Sequence, residues 1–193
     1  FYPPLGNNTK RAVELAIEHA KARAKKLRFV TVSEAMAEGI CKEFPGFSAK
    51  YNPDNSDYVY LAEKLQTLAG KKLHSKRNHI SRFERTYENH EFSLIQPQDY
   101  ETCLQLNYEW CRENGRCESE SAQNELCAIR RCFNNYEALG VSGGLLKIDG
   151  KPVAFTVGSR LYPGSDTYNI HFEKALDGYE GVYPAINKYF ANT

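Results

Sequence analysis

The chain has 193 residues, with 25 Lys and Arg against 24 Asp and Glu, and 41% hydrophobic content of which aromatics make 12% of the chain. That length suits one domain with a sizeable core, or one domain carrying part of a second, and the aromatic content excludes a disordered polymer. The balanced charge excludes a global field for nucleic acid or anionic membrane, so such a partner must use a local patch. No apolar run approaches the roughly 20 residues of a membrane-spanning helix. The opening FYPPLGNNTK lacks the pattern of a secretion signal, so a cytoplasmic location is expected. The six cysteines include no CxxC and no Cys–His pair at ligand spacing, which argues against zinc. Cys103 and Cys111 share one predicted helix and Cys127 and Cys132 another, with members too far apart or misdirected for disulfides. Reduced thiols are expected.

In chain order, residues 10–27 carry Val13, Ala16, Ile17, Ala20, Ala24 and Leu27 at helical spacing and end in basic residues. Residues 27–32 read as a short strand, and Ser33 can cap a second helix to about Phe44, ended by Pro45-Gly46. A polar turn is expected over 52–56, a β-prone run at 57–61 (DYVYL), and a short helix from Glu63 to Gly70. Residues 71–87 place Leu73, Ile80, Phe83 and Tyr87 on one stripe of a strongly basic helix, and 91–95 alternates as a strand does. A helix over 99–113 presents Tyr100, Cys103, Leu104, Asn107, Trp110 and Cys111 on one face; another over 121–139 presents Ala122, Leu126, Ile129, Phe133 and Tyr136. Strands follow at 144–148, 152–162 and 166–173, the first pair joined by an Asp149-Gly150 turn, and a helix closes the chain over 180–191. The pattern is α+β with antiparallel pairing at its centre. The first helix has no preceding strand and the last no following one, so the chain reads as a piece of a longer protein.

Two stretches carry a family resemblance: KKLHSKRNHISRFERTYENHEFSLI (71–95) and SGGLLKIDGKPVAFTVGSRLYPGSDTYNIHFEKALDGYEGVYPAIN (142–187). They resemble bacterial proteins grouped with the C-terminal domain of phosphatidylglycerol lysyltransferase, and the first is also similar to the basic helix of the Fem peptidyltransferases. The segments DYVYLAEKL, KRNHI and HFEKA carry this resemblance together. It implies tandem domains of the GCN5-related N-acetyltransferase fold. Residues 1–51 would be the C-terminal part of a first copy, and 52–193 a second copy lacking its last strand. It further implies acyl transfer, with aminoacyl-tRNA as donor and an amine, hydroxyl or lipid headgroup as acceptor. Coenzyme A is less favoured. At the strand-to-helix junction LDGYEGVY, Gly178 and Gly181 would cradle an anion on backbone N–H groups, but Asp177 and Glu180 place negative charge there.

Such transfer requires a base, an acid and an oxyanion donor but no protein nucleophile. No GxSxG is present. Along 166–173, strict alternation would put Thr167, Asn169, His171 and Glu173 on one face and Tyr168, Ile170 and Phe172 on the other. On one reading His171 or Glu173 is the proton acceptor and Asn169 orients it, all on one wall of the main cleft. On the other the row is a hydrogen-bond ladder or an exposed face. Of the basic helix, Lys71, Arg82 and Arg85 are expected to face water, whereas Lys76 and Arg77 flank the apolar stripe and, with Lys72, are the candidates for phosphate. An internal carboxylate is the alternative partner. Asn107 is expected to be a buried structural amide and Trp110 core. Three functions follow: aminoacyl transfer, acyl transfer from acyl-coenzyme A, or binding of RNA or a phosphorylated ligand without catalysis.

Overall fold

Asn8 accepts the Arg11 amide on its side chain and so starts α1 (Thr9–Ala22), which carries His19 and Lys21 in its last turn. The helix was expected to reach Leu27, but it stops at Ala22 because Ala24 is left-handed (φ +48°) and the Lys25 amide turns back to the Ala20 carbonyl at 3.0 Å. In this computed structural model all residues are described except Leu5, Asp54, Asn55 and Arg116. They divide into two compact units, Phe1–Val59 and Tyr60–Thr193.

In the first unit the expected strand at 27–32 does not form a ladder. It runs extended, tied to the Phe1 backbone by Val30 N–H to Phe1 O at 3.0 Å and by the Phe1 ammonium to Arg28 O at 2.9 Å, and Thr31 breaks it at φ +54°. α2 (Glu34–Glu43) follows Ser33, which occupies the N-cap in extended conformation without a side-chain cap bond. Lys10 of α1 meets Glu43 of α2 at 2.8 Å. The polar turn expected at 52–56 lies partly outside the described residues. The β-prone run 57–61 pairs with none of the described residues, and Tyr58 and Val59 are each 87% exposed.

The second unit begins with α3 (Ala62–Thr67), a single 3-10 turn (Lys71–Leu73) and α4 (His74–Thr86). β1 (His90–Leu94) leads through a 3-10 turn (Pro97–Asp99) into α5 (Tyr100–Glu113) and α6 (Glu120–Asn134), the latter capped by Ser119 on the Ala122 amide. Three strands then run consecutively, β2 (Ser142–Ile148), β3 (Lys151–Arg160) and β4 (Tyr168–Ala175), before α7 (Val182–Ala191). The sheet order is β1-β2-β3-β4 and every pairing is antiparallel. Asp149 (φ +49°) and Gly150 (φ +76°) close the β2–β3 hairpin with two left-handed residues, the conformation that a two-residue turn between twisted strands requires.

Alternation along the strands serves two cores. Leu145, Phe155 and Val157 face α5 and α6, where Cys103, Leu106, Ile129 and Phe133 meet them; Leu146, Ala154 and Ala175 face α4 and α7, where Phe83, Val182, Ala185 and Ile186 pack. Each large side chain removed from water contributes roughly 1.5–3 kcal/mol, so helices cover both faces of the middle strands. The architecture is α+β. All six cysteines are free. Among the described residues no helix is long and apolar enough to cross a membrane.

Candidate functional site

The polar row on β4 does not form one wall. The β3–β4 register pairs Thr156 with Glu173 and Val157 with Phe172, then slips so that Gly158 meets Ile170 and Ser159 meets Asn169. His171 is the extra residue, a β-bulge that reverses the alternation on either side of it. Glu173 therefore faces α4 and α7, whereas Asn169 and His171 gather with Ser159 on the other side of the sheet. Phe172 packs into the α5–α6 core. Thr167 precedes the strand, its amide bonded to Ser165 Oγ at 3.0 Å. β4 is moreover an edge strand rather than a central one, so Asn169 and His171 are exposed without an energetic penalty.

On the α4–α7 side, Glu173 sits between three polar groups. Asn187 of α7 donates its amide to Glu173 Oε2 at 3.4 Å, the Thr156 side chain lies beside the carboxylate, and Lys76 of α4 supplies positive charge. Thr156 Oγ1 is fully buried beside Glu173, its pair across β3–β4, and lacks a partner in hydrogen-bonding geometry. Burial dominates and pushes the Glu173 carboxyl above its ordinary range, with the Asn187 amide, the Thr156 hydroxyl and Lys76 pulling the other way. Lys76 Nζ also lies 5.2 Å from the Tyr60 ring centroid, a cation–π position.

Arg77 plays a different part. Its Nη1 donates to the carbonyls of Leu68 and, at 2.9 Å, of Gly70, closing the turn between α3 and α4. Lys72 is exposed on the 3-10 turn. Two hollows run along α4, one of about 440 Å³ lined by Gly70, Lys71, His74 and Arg77, the other of about 410 Å³ lined by Ser75, Asn78, His79, Ser81, Arg82 and Arg85. Neither is lined by Glu173 or His171.

The junction before α7 is partly engaged from within, at its Asp177 and Glu180 amides and at Gly181. Asp177 N–H donates to Glu113 Oε2 at 3.1 Å and Glu180 N–H to the Tyr87 hydroxyl at 3.2 Å. Arg82, expected to face water alone, ion-pairs with Glu180 at 2.5 Å while both remain more than half exposed. Gly181 (φ +83°) rests against α4 so closely that a Cβ there would lie 2.6 Å from the His79 carbonyl oxygen and 3.0 Å from Phe83 Cβ. Gly178 (φ +86°) has open space around it.

Four residues were not singled out in the sequence. Thr156 and Asn187 come to Glu173 only through the bulged register and the docking of α7, and Ser159 comes to His171 through the bulge alone. Lys174 is the fourth: 6% exposed, it holds Glu125 through both carboxylate oxygens at 2.9 Å and lies 3.7 Å from the Trp110 ring centroid. A Lys alternating with core residues was the available signal, because a buried cation must be paired. Asn107 is buried as expected, with its Oδ1 unpartnered, and Trp110 packs against the α5–α6 core.

The chain is similar to a solved structure, that of a conserved protein of unknown function from Bacteroides thetaiotaomicron VPI-5482, at 36% identity and a TM-score of 0.82. The match covers 97% of this chain and 63% of that one. No curated protein matches. The family described as phosphatidylglycerol lysyltransferase, C-terminal, matches residues 1–193, and the chain belongs to that family.

Proposed function

We propose that the chain is an acyltransferase that moves an aminoacyl group from aminoacyl-tRNA to an amine or hydroxyl acceptor, with Glu173 as proton acceptor. One observation carries this reading. Glu173, from the HFEKA segment, is partly buried on one face of the sheet with Asn187 and Thr156 beside it, and Lys76, from KRNHI, is near enough to lend it positive charge. A carboxyl whose proton affinity is raised by burial suits a base that must accept a proton near neutrality. In the step, the acceptor lone pair bonds to the acyl carbon, its proton passes to Glu173, and the ester bond to the ribose breaks as the ribose oxygen takes that proton from Glu173. Lys76 offsets the carboxylate charge while Glu173 is ionised.

The wider reading is a GCN5-related N-acetyltransferase fold in the second unit, a cytoplasmic location, and tRNA and a small-molecule or lipid-headgroup acceptor as partners. The exposed Lys71 and Lys72 remain for phosphate, since Arg77 is engaged with backbone carbonyls. Weak coenzyme A binding belongs to the same reading. Its support is the junction before α7, where the Asp177 and Glu180 amides already have partners and Gly181 abuts α4.

The test is transfer of labelled aminoacyl groups from a mixed aminoacyl-tRNA pool, offered small amines and phosphatidylglycerol vesicles as separate acceptors. Transfer by the wild type and a loss of roughly a hundredfold or more in Glu173→Gln is expected. Undiminished transfer by Glu173→Gln removes the base assignment. Low-micromolar coenzyme A affinity, about −8 kcal/mol by calorimetry, would move the donor to acyl-coenzyme A.

A further inference from the structure

We propose that Ser159, His171 and Asn169 form a second acyl-handling centre, in which Ser159 is a nucleophile that cleaves small activated esters through an acyl-serine. It lies on the face of the sheet opposite Glu173 and does not depend on the Glu173 reading.

Three side chains from two strands make a continuous chain of contacts. Ser159 Oγ lies 2.8 Å from His171 Nε2, and Asn169 Nδ2 lies 3.2 Å from His171 Nδ1. Both ring nitrogens of an exposed histidine are thus engaged by neighbouring side chains. The bulge is what brings them together: His171 has no partner of its own on β3, while Ser159 and Asn169 are directly paired. The nucleophile, base and orienting group of covalent acyl transfer require this order of contacts, and it is recognised by geometry rather than by a sequence motif.

The proton can be arranged in two ways. Ser159 Oγ is also 3.1 Å from the Arg160 carbonyl, so with the Asn169 NH₂ turned to Nδ1 the chain runs Asn169 to His171 to Ser159 to Arg160 O and the serine is idle. With the amide turned over, Asn169 Oδ1 accepts Nδ1–H, and the Nε2 lone pair is free for the Ser159 hydroxyl. The second arrangement is the reactive one. Ser159 Oγ then bonds to the acyl carbon as its proton passes to Nε2, and the ester C–O bond breaks as the alcohol leaves with that proton. Water completes the cycle: its oxygen bonds to the acyl carbon as Nε2 takes its proton, the acyl–Ser159 bond breaks, the acid departs and Nε2 returns the proton to the serine. Ser159 is half-buried and His171 and Asn169 are exposed, so the expected substrates are small or chain-end esters, accepted with little selectivity.

The experiment treats the intact chain with a fluorophosphonate and, separately, with p-nitrophenyl acetate. The label is mapped by peptide mass spectrometry. Expected are modification of Ser159 and an initial burst of p-nitrophenolate. Both should vanish in Ser159→Ala and slow by roughly a hundredfold in His171→Ala. Asn169 is a positioning residue, so Asn169→Asp should retain labelling that Asn169→Ala loses. Circular dichroism serves as the folding control for these surface variants. No label at Ser159, or labelling indifferent to His171→Ala, overturns the proposal.

Discussion

Gly181→Ala tests whether the junction before α7 is a packing contact. The residue is left-handed at φ +83°, where a side chain costs about 1–2 kcal/mol. The added methyl would also lie 2.6 Å from the His79 carbonyl oxygen, a backbone atom of α4 that cannot rotate away, and such overpacking costs about 1–3 kcal/mol. Gly178→Ala is the internal reference. It has nearly the same φ, +86°, and nothing within 4 Å, so it should show the conformational cost alone. With a urea slope of about 2 kcal/mol per M, the unfolding midpoint should fall by about 1–2.5 M for Gly181→Ala and about 0.5–1 M for Gly178→Ala. The one tryptophan, Trp110, lies in the second unit and reports its unfolding by fluorescence. Equal midpoints for the two variants would refute the close approach of α7 to α4 on which the reasoning rests.

Burial raises the Glu173 pKa, so the native state holds more protons than the unfolded chain as pH rises from the ordinary value of 4.5 through the raised one, and stability falls across that window. Thermal melts should therefore find Glu173→Gln at least as stable as the wild type near pH 8, with the advantage gone below about pH 4. Glu125→Ala strands the buried Lys174, and because Glu125 is itself 40% exposed the loss by urea denaturation should be about 1–3 kcal/mol, with Lys174→Met milder. Arg77→Lys cannot span both the Leu68 and Gly70 carbonyls with one ammonium, so about 1–2 kcal/mol and faster proteolysis within 68–73 are expected.

Long periodic segments and the Asp149-Gly150 hairpin were legible because local spacing alone decides them. The runs at 27–32 and 57–61 were β-prone, but a strand needs a partner, and none of the described residues pairs with either. Helical phase placed Lys76 and Arg77 together at the margin of the apolar stripe of α4. It could not distinguish them, because their contacts, the Tyr60 ring for one and the Leu68 and Gly70 carbonyls for the other, lie outside the helix. The bulge at His171 had the largest effect. One extra residue against β3 is invisible to a period-two pattern, yet it sends Glu173 to one face of the sheet and Asn169 to the other.

The order β1-β2-β3-β4 also has a kinetic reading. β2, β3 and β4 are consecutive, so their pairing closes only the short turns at 149–150 and 161–167. β1 can join β2 only after the whole of 95–141, with α5 and α6 in it, has been drawn into a loop. The difference in closure entropy is about 2–3 kcal/mol, so the three-stranded meander should be the folding nucleus and β1 a late addition. Pulse-labelled amide exchange would then protect Leu146 and Phe155 before Ser93, although all three end in the same sheet. The bulge that separates Glu173 from His171 lies within that early meander, so the division between the two faces is set before the sheet is complete.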